Sequence, residues 1–179
     1  ELYNYPELRG DLTTYGYYFE TESDTEVLLR VIDHFGWSGL ERCEGMWAFT
    51  VYDEADESLT LCRDRFGEKP LYIYRDPSGL YFGSEVKFIV TLLGHRLPVN
   101  ADHLCRYMIN GYKALYKDQH AFFQGLAELP SSTVMRVDAD GRERRWSYWH
   151  PRFDPDETMS YADAVSGVRE RLIRSVELR

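Results

Sequence analysis

The chain has 179 residues, 44% hydrophobic and 15% aromatic, which is enough to bury a core in one domain, or in one domain and a piece of a second. A formal charge of −9 argues against a protein that grips a phosphate backbone, since that calls for clustered Lys and Arg, and no nucleic-acid partner is expected. No apolar run reaches membrane length and no leader pattern opens the chain, so no membrane partner is expected either.

Three Cys, at 43, 62 and 105, suit reduced thiols and a cytoplasmic location better than a disulfide framework. The five His are scattered without zinc spacing, so no metal site is expected. The first residue is Glu rather than Met, and the opening reads as the middle of an element, as in a fragment.

Residues 1–10 read as a strand end running into a helix, with Pro6 in its first turn. The next helix is strongly signalled. Ser23 and Glu26 have the spacing of a capping box, Val27, Leu28, Val31, Ile32 and Phe35 form one apolar stripe, and Gly36 supplies the stop. The period then changes. Met46–Tyr52 reads as a buried strand, Asp53–Ser58 as an acidic turn, and Leu59–Arg63 as the returning strand of a hairpin. Leu71–Arg75 and Leu80–Gly83 pair around Asp76-Pro77-Ser78-Gly79, where Pro fixes φ and Gly accepts a positive one.

Glu85–Leu93 is helical, with Val86, Phe88, Ile89, Leu92 and Leu93 apolar, and Asn100 or Asp102 starts another helix to about Asn110. Thr133–Val137 and Arg142–Trp149 flank Asp138–Gly141 as a third hairpin. The only basic run, Arg142-Glu143-Arg144-Arg145, then falls on a solvated strand face. Residues 150–160 read as a linker, and Ser160 caps a last helix with Tyr161, Val165, Val168, Leu172 and Val176 on one side. The paired strands and short capped helices predict two stacked, mostly antiparallel sheets with the helices at 24–35 and 85–93 outside them.

Few residues announce chemistry. There is no nucleophile elbow, no glycine-rich phosphate loop and no H-E-x-x-H. The conspicuous feature is Arg63-Asp64-Arg65-Phe66-Gly67-Glu68-Lys69-Pro70-Leu71-Tyr72, followed by Ser84-Glu85-Val86-Lys87. It reads either as a structural turn in which Arg and Asp pair, or as a loop that touches substrate. Cys62 falls in a predicted strand and Cys105 in a predicted helix, so the internal thiols read as buried small hydrophobes rather than nucleophiles.

This loop and the Ser-Glu-Val-Lys that follows resemble the signature of class II glutamine amidotransferase domains of the asparagine synthetase family. The resemblance continues in order along the chain. Glu1–Arg9 is similar to the family's stretch after its Asn-Gly pair, and Ser23-Asp24-Thr25-Glu26-Val27 to its S-D-x-E helix start. Gly45–Phe49 with Tyr52-Asp53 is similar to its central strand, and Phe123–Pro130 with Tyr148-Trp149 to its exit from the domain. The last helix is similar to the lead-in to an ATP-dependent synthetase domain.

The resemblance implies an α+β fold, a four-layer α/β/β/α sandwich of the N-terminal-nucleophile type. Its implied limits are 1–149 for the amidotransferase domain, 150–160 for a linker and 161–179 for the first synthetase helix. It implies glutamine hydrolysis by an N-terminal Cys whose own amine is the base, with the Asn-Gly pair as oxyanion hole. Neither lies in these 179 residues, so no catalytic residue is assigned here.

Glu1 and Asp24 are the family positions that would bind glutamine, since a substrate ammonium calls for carboxylates. An acid in a helix's first turn is also stabilising by about 0.3–1 kcal/mol, which gives Asp24 a purely structural alternative. The implied partners are glutamine, the synthetase domain of the same polypeptide and, as an option, a second copy in a homodimer. No cofactor is expected in this domain, and ATP and Mg2+ would serve the synthetase domain. The acceptor would be aspartate or another carboxylate, and the alternative from a different class is a non-catalytic scaffold that keeps the fold.

Overall fold

The computed structural model describes residues 1–112 and 119–179. The chain forms two compact units, one of Glu1–Gly45 with Trp149–Arg179 and one of Met46–Tyr148.

The first unit opens with α1 (Tyr5–Thr14), which has Pro6 in its first turn and buries Leu8 and Leu12. Pro is tolerated there because its missing N–H would have no helical partner. The second helix, α2 (Asp24–Phe35), buries Val27 and Val31 from the expected stripe and ends at Gly36, whose φ is +65°. The chain then continues directly into a 3₁₀ turn, Gly36–Arg42, that the periodicity did not foretell.

The capping box does not close. Ser23 Oγ accepts from Thr25 N–H, while the Glu26 carboxylate turns back to the amides of Glu20 and Thr21. The chain before α2 folds over the helix start and presents those amides to Glu26.

The second unit holds β1 (Ala48–Asp53), β2 (Ser58–Arg63), β3 (Tyr72–Asp76), β4 (Gly79–Gly83), α3 (Val86–Leu93), α4 (Ala101–Asn110), β5 (Leu126–Glu128), β6 (Thr133–Val137) and β7 (Glu143–Ser147). Two antiparallel sheets result, ordered β1-β2-β6-β7 and β4-β3-β5. The three expected hairpins are present. β1 is an edge strand with no fully buried residue, not the buried strand its apolar run suggested. β5 has only three residues and gave no sequence signal, because it is shorter than any readable alternation.

Period-two alternation decides what each side of the second sheet touches. Ile73 of β3 and Leu80 and Phe82 of β4 join Leu71, Leu129, Leu61 and Met135 in a core between the two sheets. The intervening Tyr72, Tyr74 and Tyr81 pack instead with Ile89 of α3, Leu97, Ala121 and Leu126. The layers in this unit are therefore sheet, sheet and helix, with α3 on the far side of the second sheet as expected. Phe88 and Leu92 of its predicted stripe stay largely exposed, and only Ile89 is fully buried. On β7, Arg144 pairs with Asp138 and Arg145 with Glu143, so the basic run is the solvated face its composition suggested.

The loop 64–70 is tied from inside. Buried Asp64 accepts the amides of Phe66 and Glu68 at 3.0 Å and of Lys69 at 2.9 Å. Arg63 donates to the carbonyls of Gly67, Lys69 and Leu129 and pairs with Glu128 at 2.9 Å. The expected Arg–Asp pairing is replaced by each side chain holding backbone. Gly67 is required here, since its φ is +68° and an added Cβ would lie 3.1 Å from Arg63 Cζ.

Asp64→Ala removes the buried acceptor of three loop amides and should lower unfolding free energy by about 2–4 kcal/mol, with Asp64→Asn losing less. Urea denaturation followed by circular dichroism checks this. Equal stability of Asp64→Ala and the parent would refute it.

Candidate functional site

Glu1 and Asp24, the two acids picked out by sequence, both lie in the first unit. Asp24 Oδ2 accepts the backbone N–H of Leu2 at 2.8 Å. This ties Leu2, the neighbour of Glu1, to the first residue of α2 across 22 positions of sequence. Among the described residues the other carboxylate oxygen of Asp24, Oδ1, has no hydrogen-bond partner. The acid is only partly buried, so that oxygen is left for solvent or a ligand. A carboxylate with one oxygen fixed by backbone and one unengaged is suited to receive a cation, because it is already oriented before the ligand arrives.

The segment carrying Glu1 is held from its other side by residues 42–45. Leu2 forms an antiparallel bridge with Gly45, and Tyr3 N–H donates to the Glu44 carbonyl at 2.7 Å. Asn4 completes the ladder with its side chain, accepting from Glu44 N–H at 2.8 Å and donating to the Arg42 carbonyl at 2.9 Å. Gly45 permits this approach. A Cβ there would stand 2.3 Å from the Glu1 carbonyl oxygen, a distance no side chain can occupy. Sequence reading did not single out Asn4 or Gly45, because their partners lie some 40 positions away.

The turn that delivers Asp24 is built by Glu26. Its carboxylate accepts from Glu20 N–H at 2.9 Å and from Thr21 N–H at 2.8 Å and hydroxyl at 2.6 Å. These bonds, the Thr21 hydroxyl foremost, hold its pKa down to about 2. Arg9 of α1 reaches the same turn, pairing with Glu22 and donating to the Thr21 carbonyl.

Cys43 and Cys62 are buried with their sulfurs near the carbonyls of Gly39 and Arg63, and Cys105 is exposed on α4. Among the described residues no cluster of three or more His, Cys, Asp or Glu is arranged to hold a metal, and no helix is long and apolar enough to cross a membrane. The second unit contains a cavity of about 560 Å³ lined by groups including Arg63, Tyr72, His103 and Glu128. Burial, and then Glu128 beside it, raise the Tyr72 pKa. Arg63 and Glu128 neutralise each other there.

Comparison with known proteins bears on the family and the fold. A family model described as glutamine amidotransferase domain matches residues 1–149. Asparagine synthetase [glutamine-hydrolyzing] 1 of Bacillus subtilis is 39% identical over 178 residues, covering 99% of this chain. Asparagine synthetase [glutamine-hydrolyzing] 3 of the same organism is 32% identical over 169 residues, covering 94%. The chain spans 27% of the length of each.

Among solved structures, the glutamine phosphoribosylpyrophosphate amidotransferase from B. subtilis superposes over 84% of this chain and 28% of its own, with a TM-score of 0.59 and 18% identity. A structure titled as the allosteric regulatory enzyme of purine biosynthesis gives a TM-score of 0.60 at 19% identity, over 84% of this chain and 27% of its own. The likeness to both is one of fold, the N-terminal-nucleophile type of α+β fold with antiparallel sheets.

The Glu26 geometry makes a pH prediction. The folded-state pKa of about 2 lies below the ordinary 4.5, so Glu26 contributes stability that is present above pH 4.5 and lost as pH falls toward 2. The stability difference between the parent and Glu26→Gln should therefore be greatest near pH 6 and shrink toward pH 2, measured by urea unfolding across that range. A difference independent of pH would show that the carboxylate's charge is not what holds the turn.

Proposed function

Because the chain belongs to the glutamine amidotransferase domain family, we propose that it is the glutamine-handling part of an asparagine-synthetase-type enzyme, hydrolysing glutamine to glutamate and ammonia for ATP-dependent amidation of aspartate or a related carboxylate. The observation that carries the reading is the Asp24–Leu2 hydrogen bond, which ties Asp24 to the backbone immediately after Glu1, the other acid expected to receive the amino-acid end of glutamine.

In this reading Asp24 offers Oδ1 to the substrate ammonium while Oδ2 stays on Leu2 N–H, and Glu1 adds a second negative charge next to it. The ammonium keeps its charge throughout amide hydrolysis, so these acids bind and orient rather than transfer protons. The thiol nucleophile, its amine base and the oxyanion hole come from sequence outside these residues, and the buried Cys43 and Cys62 support that assignment. Free thiols also support a cytoplasmic location.

ATP and Mg2+ belong to a synthetase domain that follows, and no residue of this chain is assigned to them. Residues 150–160 lead to α5 (Tyr161–Glu177), which buries no residue, and its Val165, Val168, Leu172 and Val176 are exposed. An uncovered apolar stripe of this kind supports the role of a first helix of that domain, with the rest of the polypeptide covering it. The gene sequence ahead of Glu1 discriminates the enzyme from the scaffold reading: a Met-Cys-Gly start with a later Asn-Gly supports the enzyme, and any other residue after Met supports the scaffold.

Asp24→Asn in the full-length protein tests the site directly. Asn can keep an oxygen on Leu2 N–H but loses the charge, and a lost charged hydrogen bond is worth about 1.5–3 kcal/mol. The glutamine KM should rise roughly 10- to 150-fold with kcat little changed, since ground and transition states lose the contact alike. Synthesis driven by ammonium chloride should be nearly unaffected. Equal loss of the glutamine- and ammonia-driven rates would return Asp24 to a helix-terminus role.

A further inference from the structure

Asn4 occupies the position before α1 where its side chain would ordinarily cap the helix, yet it makes no capping hydrogen bond. Asn is among the best residues at that position, and an unused cap forgoes about 1 kcal/mol of helix stability. The side chain instead reaches 38 to 40 positions along the sequence, donating to the Arg42 carbonyl at 2.9 Å and accepting from Glu44 N–H at 2.8 Å. A primary amide is the one short side-chain group that donates and accepts from adjacent atoms, as a backbone peptide does. Asn4 therefore extends the Leu2–Gly45 pairing by one rung, just where α1 turns the backbone away from the 42–45 segment.

We propose that Asn4 is a positioning residue for the amino-acid end of the substrate. By locking residues 1–4 to 42–45 it keeps Leu2 N–H on Asp24 Oδ2, and so keeps Asp24 Oδ1 available to an ammonium group. The statement rests on the reading of Asp24 as the ammonium-binding acid. Without the lock, the contacts at Leu2 and Tyr3 hold this segment where α1 turns the backbone away from 42–45. The geometry also explains Gly45, whose missing side chain lets the Glu1 carbonyl lie against it.

The test separates local positioning from helix stability by using two substitutions in the full-length protein. Asn4→Ser caps a helix as well as Asn does, but it is too short to span Arg42 and Glu44. Asn4→Asp keeps the acceptor for Glu44 N–H and favours the helix start, but it sets a carboxylate against the Arg42 carbonyl. Both variants should raise the glutamine KM about 10- to 100-fold. Ammonia-driven synthesis should stay within twofold of the parent, on the order of the scatter of such assays, and thermal stability should change little.

Hydrogen exchange of the same proteins should show residues 1–4 losing protection while α1 keeps its own. Unchanged KM and unchanged exchange at 1–4 in both variants would overturn the proposal, as would a rise in exchange that extends equally through α1. A parent protein without glutaminase activity would overturn the functional reading instead, and the exchange arm would still decide whether Asn4 holds the Leu2–Asp24 contact.

Discussion

The adjacent residues Arg63 and Asp64 hold the second unit together. Arg63 joins β2 to the 64–70 loop and to the Glu128–Leu129 end of β5, while the Asp64 carboxylate closes the loop on itself. The backbone takes part as well: Asp64 N–H donates to the Trp47 carbonyl, its carbonyl accepts from Ser132, and Tyr148 donates its hydroxyl to the Arg63 carbonyl. Segments from both sheets thus converge on one dipeptide. Burying a carboxylate and a guanidinium is costly unless every polar atom is answered, and here backbone groups answer most of them. The arrangement fixes loop direction, and with it the register in which Leu61 and Met135 meet Leu71 and Ile73.

The first unit solves a different problem. The extended segment of Glu1 and the buried Leu2 is held against a helix start and a neighbouring strand-like segment. It uses an acid on one side, Asp24, and a ladder continued by the Asn4 amide on the other. Glu26 and Arg9 shape the turn that brings Asp24 there. In the proposed function the same carboxylate serves position and recognition, so the two alternatives that sequence left open for Asp24 are not exclusive. Its backbone contact is structural, and its other oxygen carries the proposed chemistry.

The sequence by itself determined a good deal. Apolar periodicity and turn residues located α1, α2, α3, α4, α5 and the three hairpins, because those signals are local and depend only on φ, ψ and side-chain spacing. Family-like motifs identified Glu1 and Asp24 as the acids to watch. The sequence could not show that Glu26 would abandon its capping box for Glu20 and Thr21, or that Asn4 would leave its helix for Arg42 and Glu44. It also gave no sign of the three-residue β5 or of the edge position of β1. These outcomes depend on which groups come within about 3 Å of one another, well aligned, once distant segments fold together. Local propensity sets what each residue can do; tertiary contact selected the partner it took.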